Sequence, residues 1–92
     1  MKIKLRYTAQ LKDVAKAGTD EMELKENVGI KNLLDQLVKK YDKEFGAILF
    51  DTKGNYRNSN LIVINQSQVN YAENSLLKDG DKVTIMSPIS GG

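Results

Sequence analysis

The sequence has no cysteine, no histidine and no tryptophan, and only one proline. Without cysteine there can be no disulfide, no thiol nucleophile and no zinc site of the usual Cys/His kind. Without histidine there can be no Ser-His-Asp triad. We therefore expect no metal site, and no catalytic site built from the side chains of this chain.

Long apolar runs and blocks of one charge sign are also missing. The 92 residues include 14 basic and 12 acidic ones, with the two signs mixed along the chain. Nucleic-acid binding would favour clustered Lys and Arg, and a membrane-spanning helix needs roughly 20 apolar residues. The chain begins directly with an alternating pattern instead of a secretory signal. We expect one cytoplasmic domain with no nucleic-acid or membrane partner.

Two segments near the amino end alternate between apolar and polar residues, as half-buried strands do. The first is residues 2–7 and the second is residues 21–25, which we expect to pair antiparallel so that acidic outer positions oppose basic ones. Between them we predict a short helical turn that ends at Gly18. Four acidic residues lack the spacing of a calcium loop, and we assign them to a solvated face. They are Asp20, Glu21, Glu23 and Glu26.

One convincing amphipathic helix is predicted after Asn27, which is a good candidate for its N-cap. The apolar residues of this helix fall on one stripe that should face a sheet. They are Ile30, Leu33, Leu34, Leu37, Val38 and Tyr41. The following segment, residues 45–50, is apolar but interrupted by Gly46, which predicts a turn or irregular segment over the edge of the core.

The second half of the chain is predicted to contain a loop followed by strands. Residues 51–60 are rich in turn formers and predict a long polar loop. The continuous apolar run at residues 61–64 predicts a strand that is buried on both faces near the sheet centre. Residues 69–71 are expected to return as a short strand.

A last strand is predicted after the turn at Asp79-Gly80. Its inward positions are Val83 and Ile85, and its outward positions are Thr84 and Met86. Because methionine adapts to irregular surfaces, these two outward residues, with Ile89 in the tail, are our candidates for contact with a partner protein. The alternative is that Met86 only covers the back of the sheet.

The sequence ends in Gly91-Gly92, and two residues without a Cβ can enter a channel too narrow for a side chain. Pro88 cannot donate a ladder hydrogen bond, so we divide the chain into a domain at 1–87 and a flexible tail at 88–92. A terminal carboxylate must be activated before it transfers anything. ATP can form an acyl-adenylate, which sulfur or a lysine amine then displaces. The alternative is a frayed end of no consequence.

The element order and two stretches resemble the MoaD/ThiS-type, ubiquitin-like sulfur carriers. The stretches are residues 7–15 and residues 77–83, the latter leading to the PISGG ending at 88–92. The resemblance is closest to the small subunit of molybdopterin synthase, MoaD. It implies an α+β fold of the ubiquitin-like β-grasp type, with a mixed sheet of about four to five strands, one main helix packed across it, and a flexible Gly-Gly tail.

The resemblance further implies that Gly92 is adenylated by an ATP-dependent enzyme of the MoeB/ThiF type and converted to a thiocarboxylate. Pro88, Ile89, Ser90 and Gly91 would thread into the large subunit of molybdopterin synthase, of the MoaE type. There the sulfur would pass to a pterin precursor in molybdenum cofactor biosynthesis. No bound cofactor is implied, because the ATP is used by the activating enzyme.

Three positions depart from the pattern of these carriers. Lys12 stands where arginine is commoner, and Ser87-Pro88 replaces a commoner Pro-Pro. Asn65-Gln66 replaces the Asn-Gly of a tight hairpin, which predicts a wider loop.

Other functions fit the same tail. A ubiquitin-like modifier would be joined through Gly92 to lysines of target proteins. A thiamin-pathway carrier of the ThiS type is disfavoured by the long insertion at residues 51–60. If the chain is a binding-only module, removal of Gly91 and Gly92 should not change its function.

Overall fold

Residues 1–88 are described by a computed structural model, and they form a five-stranded mixed sheet crossed by one long helix. The elements in chain order are β1 Lys2–Tyr7, α1 Ala9–Ala15, β2 Thr19–Glu23, α2 Ile30–Leu49, β3 Leu61–Ile64, β4 Ser67–Val69, a 3-10 turn Tyr71–Glu73, and β5 Lys82–Met86. The strand order is β2-β1-β5-β3-β4, which places β5 at the centre. β1 and β5 are parallel, and the other neighbours are antiparallel.

The first two strands pair antiparallel, as predicted, but β2 begins two residues earlier than expected. Lys4 lies opposite Glu21 on the outer face of the sheet, so the expected pairing of charges is confirmed. The same register sets Asp20 opposite Leu5, on the inner face. The sequence prediction of 21–25 missed this start because a polar residue on the inner face breaks the apolar alternation.

The predicted turn between these strands is a seven-residue helix, α1, and it does not end at Gly18. It ends at Lys16, which takes a left-handed conformation with φ 58°. That conformation is uncommon for residues other than glycine, and for this reason the sequence pattern predicted an end at Gly18. Leu11 in this helix is completely buried.

Helix α2 begins after Gly29, and the prediction that Asn27 would cap it is wrong. Asn27 has φ 61° and lies in the turn before the helix. The N-cap residue is Gly29, which has no side chain to bond the first turn. The Lys31 amide instead donates to Asn74 Oδ1 over 2.9 Å. The cap therefore comes from a residue 43 positions away, which no local pattern could indicate.

The predicted stripe of α2 faces the sheet. Its most buried members are Ile30, Leu33, Leu34 and Leu37. The expected irregular segment at 45–50 is wrong, because the helix resumes after a break at Asp42 and runs to Leu49. Phe45 and Leu49 are both completely buried and lie one helical turn apart. Gly46 permits the close approach of Val38, whose Cγ1 would lie 3.1 Å from an added Cβ.

The β3 strand occupies its predicted residues next to the central strand β5, but the prediction that it is buried on both faces is wrong. It lies between β5 and β4, and Leu61 is 39% exposed on the outer face. Within residues 1–88 all of the helical cover lies on the other face, where Ile62 is buried. A run of four apolar residues cannot distinguish a fully buried strand from one with an uncovered face.

The connection from β3 to β4 is a tight two-residue turn, which corrects the expected wider loop. Asn65 has φ 57°, and its side chain accepts a hydrogen bond from the Lys82 amide over 3.1 Å. This anchors the turn to the start of β5. The expected strand at 69–71 is displaced to β4, because Tyr71 belongs to the 3-10 turn.

The predicted loop at residues 51–60 folds back on the core through its aromatic residue. The Tyr56 ring stacks on Tyr71 at a centroid distance of 4.5 Å, and its hydroxyl donates to the Asn60 carbonyl over 2.7 Å. The core proper lies between α2 and the inner face of the sheet. No helix in the described part of the chain is both long and apolar enough to cross a membrane.

Candidate functional site

The base of the predicted tail belongs to the central strand of the sheet. Val83 and Ile85 point inward and are completely buried, as predicted. β5 ends at Met86, and Pro88 is exposed beyond the sheet. The remaining tail residues of the prediction, Ile89, Ser90, Gly91 and Gly92, lie outside the described residues. The described part of the tail therefore leaves from a strand that is paired on both sides.

Ser87 is a buried polar residue at this exit, only 7% exposed. Its Oγ donates to the Thr8 carbonyl over 2.8 Å and accepts a longer hydrogen bond of 3.4 Å from the Leu11 amide. The sequence located the end of the strand here but not these contacts. Both partners lie more than 70 residues away in the chain, so there was no local signal.

An apolar surface lies beside the exit, on the outer face of the sheet. We call it the outer-face patch, and it consists of Leu61, Val63, Thr84 and Met86. Leu61 lies directly opposite Met86, and Val63 lies opposite Thr84. Leu61 and Met86 are each 39% exposed. The structure thus brings the two predicted contact residues together with two that the sequence had placed in the interior.

Basic side chains border the outer-face patch. Lys4 and Arg6 on β1 are exposed on the same face, where Lys4 lies opposite Lys82 and Arg6 lies opposite Thr84. An open pocket of about 410 Å³ is lined by Arg6, Lys12 and Lys82, with no carboxylate in its wall. Within residues 1–88, none of these cations forms a salt bridge. This face is suited to a partner with acidic groups around an apolar centre.

Asp20 does not belong to the solvated acidic face to which the sequence assigned it. Its side chain is 16% exposed and receives two hydrogen bonds from Lys40 Nζ, at 2.8 and 3.0 Å. The hydroxyls of Tyr41 and Tyr7 also donate to Oδ2, that of Tyr7 over 3.4 Å. We call these four residues the Asp20 cluster. They connect the edge strand β2 to α2.

The pKa values in the Asp20 cluster follow from these contacts. Burial by itself would raise the pKa of Asp20, but the hydrogen bonds from Lys40 and Tyr41 outweigh it and hold that pKa below its ordinary value. Burial and the neighbouring carboxylate raise the pKa of both tyrosines. The hydroxyls therefore remain protonated and donate hydrogen bonds to the ionised carboxylate.

The chain matches the model of the ThiS family over residues 5–92. A curated relative from Chlamydomonas reinhardtii, the molybdopterin synthase sulfur carrier subunit, is 30% identical over 95 residues and is covered completely, as is this chain.

Solved structures show the same fold. SAMP1 from Haloferax volcanii superimposes with a TM-score of 0.88 at 20% identity, over 100% of both chains. The small archaeal modifier protein 1 from Methanosarcina acetivorans gives 0.76 at 28% identity, over 99% of this chain and 96% of that one. A complex of subunits 1 and 2 of the molybdopterin-converting factor from Helicobacter pylori gives 0.62 at 18%, over 100% of both. The predicted ubiquitin-like β-grasp fold is confirmed.

Proposed function

The chain belongs to the ThiS family, and from that premise we propose that it is a sulfur carrier whose Gly92 carboxylate becomes a thiocarboxylate. The observation that carries this proposal is the extent of the family match, which runs through Ser90-Gly91-Gly92 to the last residue. The role we propose is sulfur donation in molybdopterin synthesis, because the molybdopterin synthase sulfur carrier subunit of Chlamydomonas reinhardtii matches over its full length.

The chemistry takes two steps, and the partner enzyme supplies the catalytic groups. A Gly92 carboxylate oxygen attacks the α-phosphorus of ATP, which releases pyrophosphate and leaves an acyl-adenylate. A sulfur nucleophile then attacks the carbonyl carbon and expels AMP, so that one carboxylate oxygen is replaced by sulfur. This chain contributes the carboxylate and two residues without a Cβ that fit a narrow channel. Since activation consumes ATP, we place this chemistry in the cytoplasm.

We propose that the outer-face patch is the docking surface for the partners. Thr84 and Met86 lie on the strand that leads into Pro88, so a protein bound to this patch lies next to the exit of the tail. The partners are an adenylating enzyme of the MoeB/ThiF type and a large subunit of the MoaE type. The complex of subunits 1 and 2 from Helicobacter pylori supports such an assembly for a protein of this fold.

A ubiquitin-like modifier is the second candidate function. It is favoured by the small archaeal modifier protein 1 from Methanosarcina acetivorans, which is 28% identical over 99% of this chain. In that function the amine of a target lysine, instead of sulfur, displaces AMP from Gly92, directly or through a thioester. Activation is the same for both functions, and only the nucleophile differs.

The decisive experiment is the intact mass of the protein after incubation with ATP, a sulfur donor and the activating enzyme of its own organism. We expect a gain equal to one oxygen exchanged for one sulfur, located by fragmentation at Gly92. A Gly92→Ala variant is the control, and we expect it to keep its thermal stability and to remain unmodified. Conjugates joined through Gly92 would make the protein a modifier. An unchanged mass, with the enzyme active on another carrier, would contradict the proposal.

A further inference from the structure

The exit of the tail is fastened to the opposite end of the chain by one side chain. Ser87 follows the last residue of β5, and its Oγ lies 2.8 Å from the carbonyl oxygen of Thr8, which follows the last residue of β1. The two strands are parallel neighbours, with Tyr7 opposite Ile85. The Thr8 amide also donates to the Ile85 carbonyl over 3.3 Å. The Ser87 hydroxyl therefore extends the β1–β5 pairing one residue beyond the end of the ladder.

The same hydroxyl contacts the first turn of α1. Thr8 is the N-cap residue of this helix, but its side chain makes no capping hydrogen bond. Ser87 Oγ instead accepts from the Leu11 amide over 3.4 Å. Serine is a preferred capping side chain because its oxygen satisfies a free amide of the first turn. Here it does so from the other end of the sequence, and both contacts of Ser87 lie at the start of α1.

The arrangement depends on the serine side chain, because a proline at position 87 would have neither a hydroxyl nor an amide to donate. Ser87 is 7% exposed, and its hydroxyl serves both as donor and as acceptor. A buried hydroxyl with two well-defined partners is costly to displace. The direction in which the chain leaves the sheet is thus determined up to Pro88.

We propose that Ser87 is a positioning residue for the reaction at Gly92, and this inference rests on the proposed function. Five residues separate Ser87 from the reacting carboxylate, and they span at most about 18 Å. A fixed exit limits the volume in which the carboxylate must be found by the activating enzyme. Such pre-organisation acts on the chemical step when another surface supplies the affinity, and here the outer-face patch supplies it.

The test compares wild type with Ser87→Ala in pyrophosphate exchange catalysed by the activating enzyme, at a temperature where both are folded. If Ser87 is freed, one additional residue must be ordered before the reaction, and its backbone entropy corresponds to a loss of about five- to thirty-fold in kcat. We expect kcat to fall by this factor and KM for the carrier to change less than twofold. Ser59→Ala removes a hydroxyl from an exposed loop position and should leave both constants unchanged.

A purely structural role for Ser87 predicts a different result. Leu34→Ala destabilises the core far from the tail exit, and its folded fraction should keep the wild-type kcat. If Ser87→Ala retains more than one fifth of the wild-type kcat, or if Leu34→Ala loses as much, the positioning role is wrong. If the wild type itself gives no exchange with an enzyme active on another carrier, the proposed function fails, and this inference fails with it.

Discussion

The carboxylate of Asp20 accepts a hydrogen bond from the hydroxyl of Tyr41, which joins the edge strand β2 to the middle of α2. Lys40, the preceding residue on the helix, binds the same carboxylate with both of its contacts at 3.0 Å or less. Among residues 1–88, β2 has a neighbour in the sheet only on its β1 side. The Asp20 cluster therefore gives this strand a second attachment, across the layer between helix and sheet.

The first prediction concerns the pH dependence of this attachment. The pKa of Asp20 in the folded state lies below its ordinary value of 3.8, so folding favours the ionised form. Its contribution to the free energy of unfolding is complete at neutral pH and is lost as the pH falls below about 4, towards the folded-state pKa. We expect Asp20→Asn to be less stable than wild type by about 1–2 kcal/mol at pH 7, and this difference to shrink as the pH falls through the folded-state pKa of Asp20.

Urea unfolding of both proteins at several pH values measures this difference. Asp13→Asn is the matched control, because it removes the same charge from an exposed position of α1. That control should stay within about 0.5 kcal/mol of wild type throughout. A difference between Asp20→Asn and wild type that is as large at pH 2 as at pH 7 would show that the charge of Asp20 contributes nothing.

The second prediction concerns the break in α2. Asp42 has φ 77° and ψ −164°, a region that is essentially restricted to glycine and costs of the order of 1–3 kcal/mol. Glycine removes this strain but loses about 0.5–1 kcal/mol through the greater freedom of the unfolded chain. We expect Asp42→Gly to stabilise the protein by about 1 kcal/mol in thermal unfolding. Lys39→Gly, at an exposed helical position of ordinary geometry, should destabilise by about 1 kcal/mol. Equal losses in both variants would refute the strain.

Much of the fold follows from periodicity in the sequence. The alternation in β1 and β5 and the stripe of α2 each depend on neighbours within a few residues, and each was predicted correctly. The exposed outer face of β3 was not, because whether a face of a strand is covered depends on which elements pack there from elsewhere in the chain. The cap of α2 by Asn74 and the inward position of Asp20 depend on long-range contacts in the same way.

In the candidate site, too, local patterns could be predicted from the sequence and long-range contacts could not. The tail and the outward pair of Thr84 and Met86 could be found in the sequence, since both follow from a local pattern. Leu61 completes the outer-face patch only because its strand pairs with β5 in a register that sets it opposite Met86. The contacts of Ser87 likewise require the parallel pairing of β1 and β5.

The third prediction tests the core. Leu34 is completely buried between α2 and the sheet, so its truncation leaves a cavity as well as losing apolar contact. We expect Leu34→Ala to lower the free energy of unfolding by about 2–5 kcal/mol. Leu76 is 67% exposed, and Leu76→Ala should change it by no more than about 0.5 kcal/mol. Similar losses in the two variants, measured by denaturant unfolding, would contradict the packing described for α2.

The last prediction tests the outer-face patch as a docking surface. Met86 is 39% exposed and lies opposite Leu61 in the patch, at the end of β5 next to the exit of the tail. An aspartate there would have to be desolvated when a partner covers it, which is costly without a compensating charge. We expect Met86→Asp to raise KM for the carrier in pyrophosphate exchange by about tenfold or more, since a few well-buried residues carry most of the affinity of an interface. Its kcat should change little, because Ser87 and the exit of the tail are intact.

Leu76→Asp is the control for this prediction, because it places the same charge on an exposed leucine that belongs to none of the five strands. We expect its KM to equal that of wild type. The roles of Met86 and Ser87 can then be separated, because a change at Met86 acts on KM and a change at Ser87 acts on kcat. If Met86→Asp and Leu76→Asp bind equally well, the partner does not cover the outer-face patch, and the affinity must come from the tail or from another face.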